Sequence, residues 1–437
     1  MRSDVKVKRI NTFVLAPTKK QHMQLLKIAD GCARLWNELN YRRRQSLFKG
    51  KINWEDKDLY DKYKGIVNAA TTQQMQRKNN EAWKSFFALL KQKANGKLPP
   101  HIQKIRPPGY WKDRRNKEQK LLILVRCDCY RLEGSVLKRP KKLKVRWKGR
   151  PKWNSWVKQG LLTLIYDQTK SRWYARQAVE VEPPHQPLSD KRAYVDLGVL
   201  NLLTIVVDGE KQAKAYSGRP ALGDWWYLSH RIDELKSIAA ETNGRWTTKR
   251  IRGLFKRRTL RFRQYVNTTV RRAIERLWRE GVSEIVIGDL KGIRMSSNCR
   301  RKSNTMVHNF WSHRYLVQRI REVAEEYGIS VKTVDERGTS SRCPWCRSED
   351  VVERGRLLKC KSCGIEAHRD VVGALNIGAV RNGGHVNRVM THPLEVRVIG
   401  FQEFPDLSRG ECQPPKNLLI AGNISTTCSL AISSYNP

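Results

Sequence analysis

The chain is 437 residues long with 39% hydrophobic residues, which is enough for two or three domains with cores of their own and excludes a disordered chain. Eighty-six Lys and Arg against 41 Asp and Glu leave a formal net charge of +45, a field that calls for a polyanionic partner, nucleic acid first. No apolar run reaches the ~20 residues of a membrane span and the N-terminus lacks the apolar centre of a signal peptide, so the expectation is no membrane and a cytoplasmic, nucleoid-associated protein.

Lys6 to Leu15 predicts a short strand, and Thr18 to Gln21 a capping box that starts a helix. Leu25, Ile28, Cys32, Leu35, Trp36 and Leu39 recur at helical spacing along it. A second helix is expected from about Asn68 to Lys93, with Met75, Ala82, Trp83, Phe86, Leu89 and Leu90 on one face, and a shorter one near Trp54 to Tyr63. Four prolines break the stretch Gly96 to Gly109. Beyond it the period changes to that of strands: Leu121 to Cys127, Leu143 to Trp147, Leu161 to Tyr166 and Trp173 to Val181. Because one strand precedes the helices, the helical unit reads as an insertion into a small basic β-barrel.

Pro183 to Pro187 predicts a linker. After it, Ala193 to Gly218 reads as consecutive antiparallel strands around the turn Asp208-Gly209-Glu210. A long basic helical region follows, with Phe262, Val266, Val270, Ile274 and Trp278 every four residues. Ser283 to Asp289 and Ile329 to Val334 read as buried strands separated by a helix from about Ser312 to Tyr327. This order fits an RNase H-like α/β fold.

Ten cysteines are present, and six of them are scattered without a disulfide framework's spacing. Cys343, Cys346, Cys360 and Cys363 form two Cys-x-x-Cys knuckles around a short charged segment, a set of four thiolates suited to a tetrahedral structural Zn²⁺. A redox pair or a disulfide couple is the other reading of such motifs. Gly364 suits the tight turn after the second knuckle.

Three carboxylates stand out. Asp196 lies in Tyr-Val-Asp-Leu-Gly-Val, inside or at the end of an apolar strand, Asp289 ends Ile-Val-Ile-Gly-Asp, and Asp370 opens a helix after the second knuckle. Alone, each could be a turn, loop or cap residue. Together, carboxylates from three distant segments can converge on a pair of Mg²⁺ ions that drive phosphodiester hydrolysis. Aromatics interleaved with basic residues, as at Tyr110-Trp111-Lys112, suit base stacking beside phosphates, although they could equally be core.

Val-Asp-Leu-Gly-Val-Leu-Asn-Leu-Leu-Thr, Gly-Asp-Leu-Lys-Gly-Ile-Arg, Asn-Phe-Trp-Ser, Gly-Thr-Ser-Ser-Arg-Cys-Pro-Trp-Cys and His-Arg-Asp-Val-Val-Gly-Ala-Leu-Asn-Ile, in that order, resemble the TnpB family of transposon-encoded nucleases and the related miniature type V CRISPR effectors. The resemblance covers about Ala193 to Val380. It implies an RNA-guided DNA endonuclease with a guide RNA, structural Zn²⁺ and catalytic Mg²⁺, acting on double-stranded and single-stranded DNA beside a short flanking motif. It also implies a multidomain α+β layout: a wedge-like β-barrel (residues 1–16 and 110–182), an inserted helical recognition domain (17–109), a linker (183–188), a RuvC-like nuclease domain (189–340 and 365–385) and an inserted zinc ribbon (341–364). The remaining tail (386–437), where from Gly400 onward only Arg409 and Lys416 are basic, is expected from its composition to be poorly ordered or partner-dependent.

Asp196 and Asp370 match the family's first and third catalytic carboxylates. At the second position this chain has Gly288-Asp289-Leu290 where many members have Glu-Asp-Leu, which makes Asp289 the nearest substitute, and Val372 stands where asparagine is common. The alternatives are a guide-dependent DNA-binding protein without cleavage and a basic zinc-ribbon RNA-binding protein.

Overall fold

The computed structural model describes residues 6–99, 102, 104–111, 119–139, 143–210, 212–244, 246–289, 306, 310, 312–335, 341–381 and 395–399. The chain divides into two units, residues 1–399 and residues 400–437, and the second lies outside the described residues together with most of the expected tail.

β1 (Val7–Ala16) alternates strictly, burying Val7, Asn11, Phe13 and Leu15. The buried Asn11 is satisfied by Trp153, donating to its carbonyl at 2.9 Å and accepting from its N–H at 3.0 Å. β1 lies inside a seven-stranded antiparallel sheet with β2 (Leu122–Val125), β3 (Arg131–Glu133), β4 (Val136–Arg139), β5 (Leu143–Lys148), β6 (Lys158–Asp167) and β7 (Arg172–Val181), in the order β2-β6-β7-β1-β5-β4-β3. Tyr130, which leads into β3 at one end of this ladder, donates its hydroxyl to the Gly160 carbonyl of β6 near the other end at 2.8 Å. The sheet is therefore rolled, and side chains bridge its ends where no β2–β3 ladder is formed among the described residues. The hairpin of β3 and β4 was not expected from the sequence, its strands being only three and four residues long and rich in charge.

Between β1 and β2 stand α1 (Lys19–Phe48), α2 (Lys57–Val67) and α3 (Ala69–Ala94). The Thr18–Gln21 capping box is formed in both directions. The short helix begins at Lys57, later than expected, because Trp54 stays outside and stacks against the Arg43 guanidinium, 5.2 Å from the ring centre. A buried polar group joins the helices: the Asn40 side-chain carbonyl accepts from Asn79 at 3.0 Å and from Trp83 at 2.9 Å.

The expected linker is docked. His185 stacks on Tyr327 at 4.8 Å and 9°, Trp278 donates to the Gln186 carbonyl at 2.6 Å, and a Cβ on Gly328 would meet Pro187 at 2.9 Å.

The second sheet has the order β12-β11-β8-β9-β10-β16, from β8 (Lys191–Asp196), β9 (Asn201–Val207), β10 (Gln212–Ser217), β11 (Val282–Asp289), β12 (Ser330–Asp335) and β16 (Glu395–Ile399). β8, β11 and β12 run parallel, and β9 runs antiparallel to both β8 and β10. β16 corrects the expectation for its part of the tail: Glu395–Ile399 pairs in parallel with the open edge of β10, whose backbone groups supply the partners a lone strand lacks.

The basic region predicted after Gly218 is two helices, α4 (Arg219–Asn243) and α5 (Lys249–Arg279). One face of the sheet packs Val195, Ile205, Ile285 and Ile287 against Val266, Val270 and Ile274 of α5 and Leu316 and Ile320 of α6 (His313–Glu326). Full burial of each such side chain contributes about 1.5–3 kcal/mol. The opposite face packs Tyr194, Val206, Ala213 and Val286 against Val371, Ala374, Leu375 and Ile377 of α7 (Arg369–Arg381). A third, three-stranded sheet of β13 (Val351–Arg354), β14 (Leu357–Cys360) and β15 (Glu366–His368) leads directly into α7. No helix among the described residues is long and apolar enough to cross a membrane.

Candidate carboxylate site and cysteine cluster

The C-terminal ends of the three parallel strands lie side by side. β8 ends in Asp196 and β11 in Asp289, with Val195 in register with Ile287, and Asp289 pairs in turn with Asp335 at the end of β12. Alternation fixes the faces. Tyr194 and Val286 turn toward α7, so Asp196 and Gly288, two residues on, share that side. The Asp289 side chain lies outside the described residues.

α7 packs on β8 through two glycines. A Cβ on Gly373 would stand 3.3 Å from Asp196 Cγ, and one on Gly378 would stand 3.0 Å from the Tyr194 ring. Only bare backbone lets the helix settle this close to the strand. Asp370 lies three residues before Gly373 on α7, buried at 7% exposure. Its Oδ2 accepts from Asn201 Nδ2 of β9 at 2.9 Å and its Oδ1 from an Arg356 guanidinium N–H at 2.7 Å. Both contacts come from outside its own helix, so Asp370 is more than a helix cap. Its backbone N–H donates to His368 Nδ1 at 3.3 Å, and burial holds the His368 imidazole below its ordinary pKa.

Asp196 thus lies against α7 at Gly373, the helix that carries Asp370 three residues earlier, and Asp370 is already paired to a cation. The set is hard oxygen, the donor type that suits Mg²⁺. Asn201 and Arg356 were not singled out in the sequence. Asn201 stands in the quoted Leu-Asn-Leu run, whereas nothing local marks Arg356 in the turn between β13 and β14. Val372 is buried in α7.

The four cysteines come together. Their sulfurs lie within 4.8 Å of one another, with Cys343 to Cys363 at 3.6 Å and Cys346 to Cys360 at 3.5 Å. A tetrahedral ion with Zn–S bonds of about 2.3 Å sets its ligands about 3.8 Å apart, so the set fits a zinc ribbon. The two knuckles are built alike. Arg347 N–H donates to the Cys343 carbonyl and Gly364 N–H to the Cys360 carbonyl, both at 3.0 Å, and both residues take positive φ, 66° and 74°. Cys343 N–H donates to Ser348 at 2.9 Å and Cys360 N–H to Ile365 at 2.8 Å. Backbone N–H groups, that of Cys363 first, bring the Cys360 thiol down to about 7.

The ribbon reaches Asp370. β15 pairs with β14 and passes into α7, extending the ribbon's sheet to His368, beyond the expected boundary. Arg369 N–H donates to the Arg356 carbonyl at 2.8 Å, which fixes the turn that carries Arg356.

Two family models match the chain: "Probable transposase" (OrfB_IS605) over residues 176–294 and "Cas12f1-like, TNB domain" over residues 313–377. The TnpB-like protein ORF457 of Acidianus two-tailed virus is 33% identical over 87% of this chain and 88% of its own length. The CRISPR-associated endodeoxyribonuclease Cas12f1 of Sulfoacidibacillus thermotolerans is 29% identical over 49% of this chain and 51% of its own. A solved Cas12f1–sgRNA–target DNA complex aligns over 82% of both chains at 14% identity with a TM-score of 0.46.

Proposed function

The chain belongs to the TnpB-like proteins, and from that premise we propose that it is an RNA-guided DNA endonuclease with a RuvC-type carboxylate site. The observation that carries the proposal is the close packing of α7, through Gly373, on the Asp196 carboxylate, with the buried Asp370 three residues earlier on the same helix. Carboxylates gathered about one helix–strand contact, one of them buried and one half-buried, favour a cation between or beside them. Asp289, at the neighbouring strand end, is the third member of the proposed set.

Asp196 and Asp370 would hold the Mg²⁺, with Asp289 completing the donors. Bound there, a pair of ions supplies an activated water and charge stabilisation for the leaving 3′ oxygen. The chain's own part is positional. Asn201 fixes the rotation of the Asp370 carboxylate, Gly373 sets the spacing to Asp196, and the ribbon turn holds Arg356 where a phosphate oxygen can also reach it.

The partners follow from charge and family. A net +45 suits one chain that binds a guide RNA, its heteroduplex with target DNA and the displaced strand. Guide pairing would supply sequence specificity, with a short flanking DNA motif read by the protein itself.

The test is cleavage by the purified ribonucleoprotein. Mg²⁺-dependent cutting of guide-matched DNA, abolished by Asp196→Ala, is the expected result. Guide-dependent binding without cutting under Mg²⁺ or Mn²⁺ would sink the nuclease reading. Copurification of ribosomal RNA alone would count against a guide.

A further inference from the structure

Strand register sets Thr204 of β9 directly opposite Asp196 of β8. Facing residues of an antiparallel pair share one side of the sheet, with Cβ atoms about 4.5–5.5 Å apart. The flanking pairs identify the side. Tyr194 and Val206 pack with α7, while Val195 and Ile205 pack with α5 and α6. Thr204 therefore lies under α7, beside Asp196.

Its side chain is 0% exposed, and its Oγ1 has no hydrogen-bond partner among the described residues. A buried hydroxyl left unpaired is costly, and valine would fill the same space in a strand without that cost. The neighbours along β9 on both sides, Leu203 and Ile205, are apolar. A polar atom in this place has a use when something outside the chain comes to meet it. The ligand suited to the face is the hydrated cation at Asp196, whose waters the ion polarises into strong donors.

We infer that Thr204 is a positioning residue of the cation site, its Oγ1 accepting a hydrogen bond from a water of the hydrated Mg²⁺ held by Asp196. The inference rests on the reading of Asp196 and Asp370 as cation ligands. Thr204 orients the water shell from the side of β9, as Asn201 orients Asp370 from the start of the same strand. The two form one supporting edge, a neutral hydroxyl and a neutral amide that leave the charge of the carboxylates undiminished for the ion.

The experiment is a Mn²⁺ titration of the full-length protein, freed of nucleic acid, followed by electron paramagnetic resonance beside its thermal unfolding midpoint. Thr204→Val keeps the volume and removes the hydroxyl, and Thr204→Ser keeps the hydroxyl. Thr204→Val is expected to bind Mn²⁺ about 10-fold more weakly while its metal-free midpoint stays at or above that of the parent, and Thr204→Ser is expected to retain most of the affinity. Thr204→Ala, which empties the space, is the second variant and should show the same loss. Equal affinity in the parent, Thr204→Val and Thr204→Ala, with binding abolished by Asp196→Asn, overturns the role of Thr204 and leaves the cation site standing. Undiminished Mn²⁺ binding in Asp196→Asn overturns the underlying reading and this inference with it.

Discussion

Gly373 presents bare backbone to the Asp196 carboxylate, and a single added methyl group would stand 3.3 Å from Asp196 Cγ. That distance is tight enough to force a shift of a few tenths of an ångström in either the helix or the carboxylate. Alanine also favours the helix by up to about 1 kcal/mol over glycine. Gly373→Ala should therefore leave the unfolding midpoint close to that of the parent while cleavage falls about 10-fold, because small displacements of catalytic groups are expensive in rate. Single-turnover cleavage and thermal unfolding on the same preparation check this. An unchanged rate would show that the contact does not set the spacing of the site.

The zinc ribbon has a second task, since its turn carries Arg356 to Asp370 and its last strand feeds α7. Replacing Cys346 with serine should remove about one equivalent of zinc and expose the amides of residues 351–368 to exchange. Cleavage should drop at least about 10-fold, as is usual when outer supports of a metal site are lost. Zinc content and hydrogen exchange read the two effects separately. Full exchange protection in a zinc-free variant would show that the ribbon folds without its ion.

Glu326, at the end of α6, joins the rolled sheet to the second sheet's helices. It is 3% exposed and accepts from Lys152 at 2.8 Å and Arg271 at 2.7 Å, with Arg9 at 3.8 Å. Burial alone would raise its carboxyl pKa, but Lys152 and Arg271 outweigh that and bring it below the ordinary 4.5. A carboxylate with a depressed folded pKa contributes stability that is fully present above the unfolded value and is lost as pH falls through the folded one. Glu326→Gln should thus cost about 1–3 kcal/mol at neutral pH, and the difference from the parent should shrink as pH is lowered below 4.5. Urea unfolding midpoints across pH 3–7 on both proteins, about four units of range, test the sign. A difference independent of pH would mean that the glutamate acts by packing alone.

The sequence made visible those features that depend on local period or local chemistry. The capping box at Thr18, the apolar spacing through Trp36 and the four cysteines each announce themselves over a few residues. The β3–β4 hairpin was hidden because its strands are too short and too charged to show alternation. β16 was hidden because its partner edge on β10 is more than a hundred and seventy residues away, Gln212 pairing with Glu395. Among the proposed site residues, Asp196 and Asp370 could be named from their strand and helix-start settings together with the family motifs. Arg356 and Thr204 could not, since the first acts across a turn and the second only through its cross-strand neighbour.

Asp289 is the most exacting test of the proposed carboxylate set. It ends β11 beside Asp196, yet the β11 position that shares the face of Asp196 by alternation is Gly288. If Asp289 completes the site from the strand end, Asp289→Asn should lower cleavage as severely as Asp370→Asn, on the order of 100-fold or more, with guide-dependent DNA binding retained. Placing a carboxylate on the favoured face should then compensate: the double substitution Gly288→Glu with Asp289→Asn is expected to recover part of the lost rate. Cleavage and binding assays on the three variants settle the assignment. An unaltered rate in Asp289→Asn removes it from the site and turns attention to Asp335, its register partner at the end of β12.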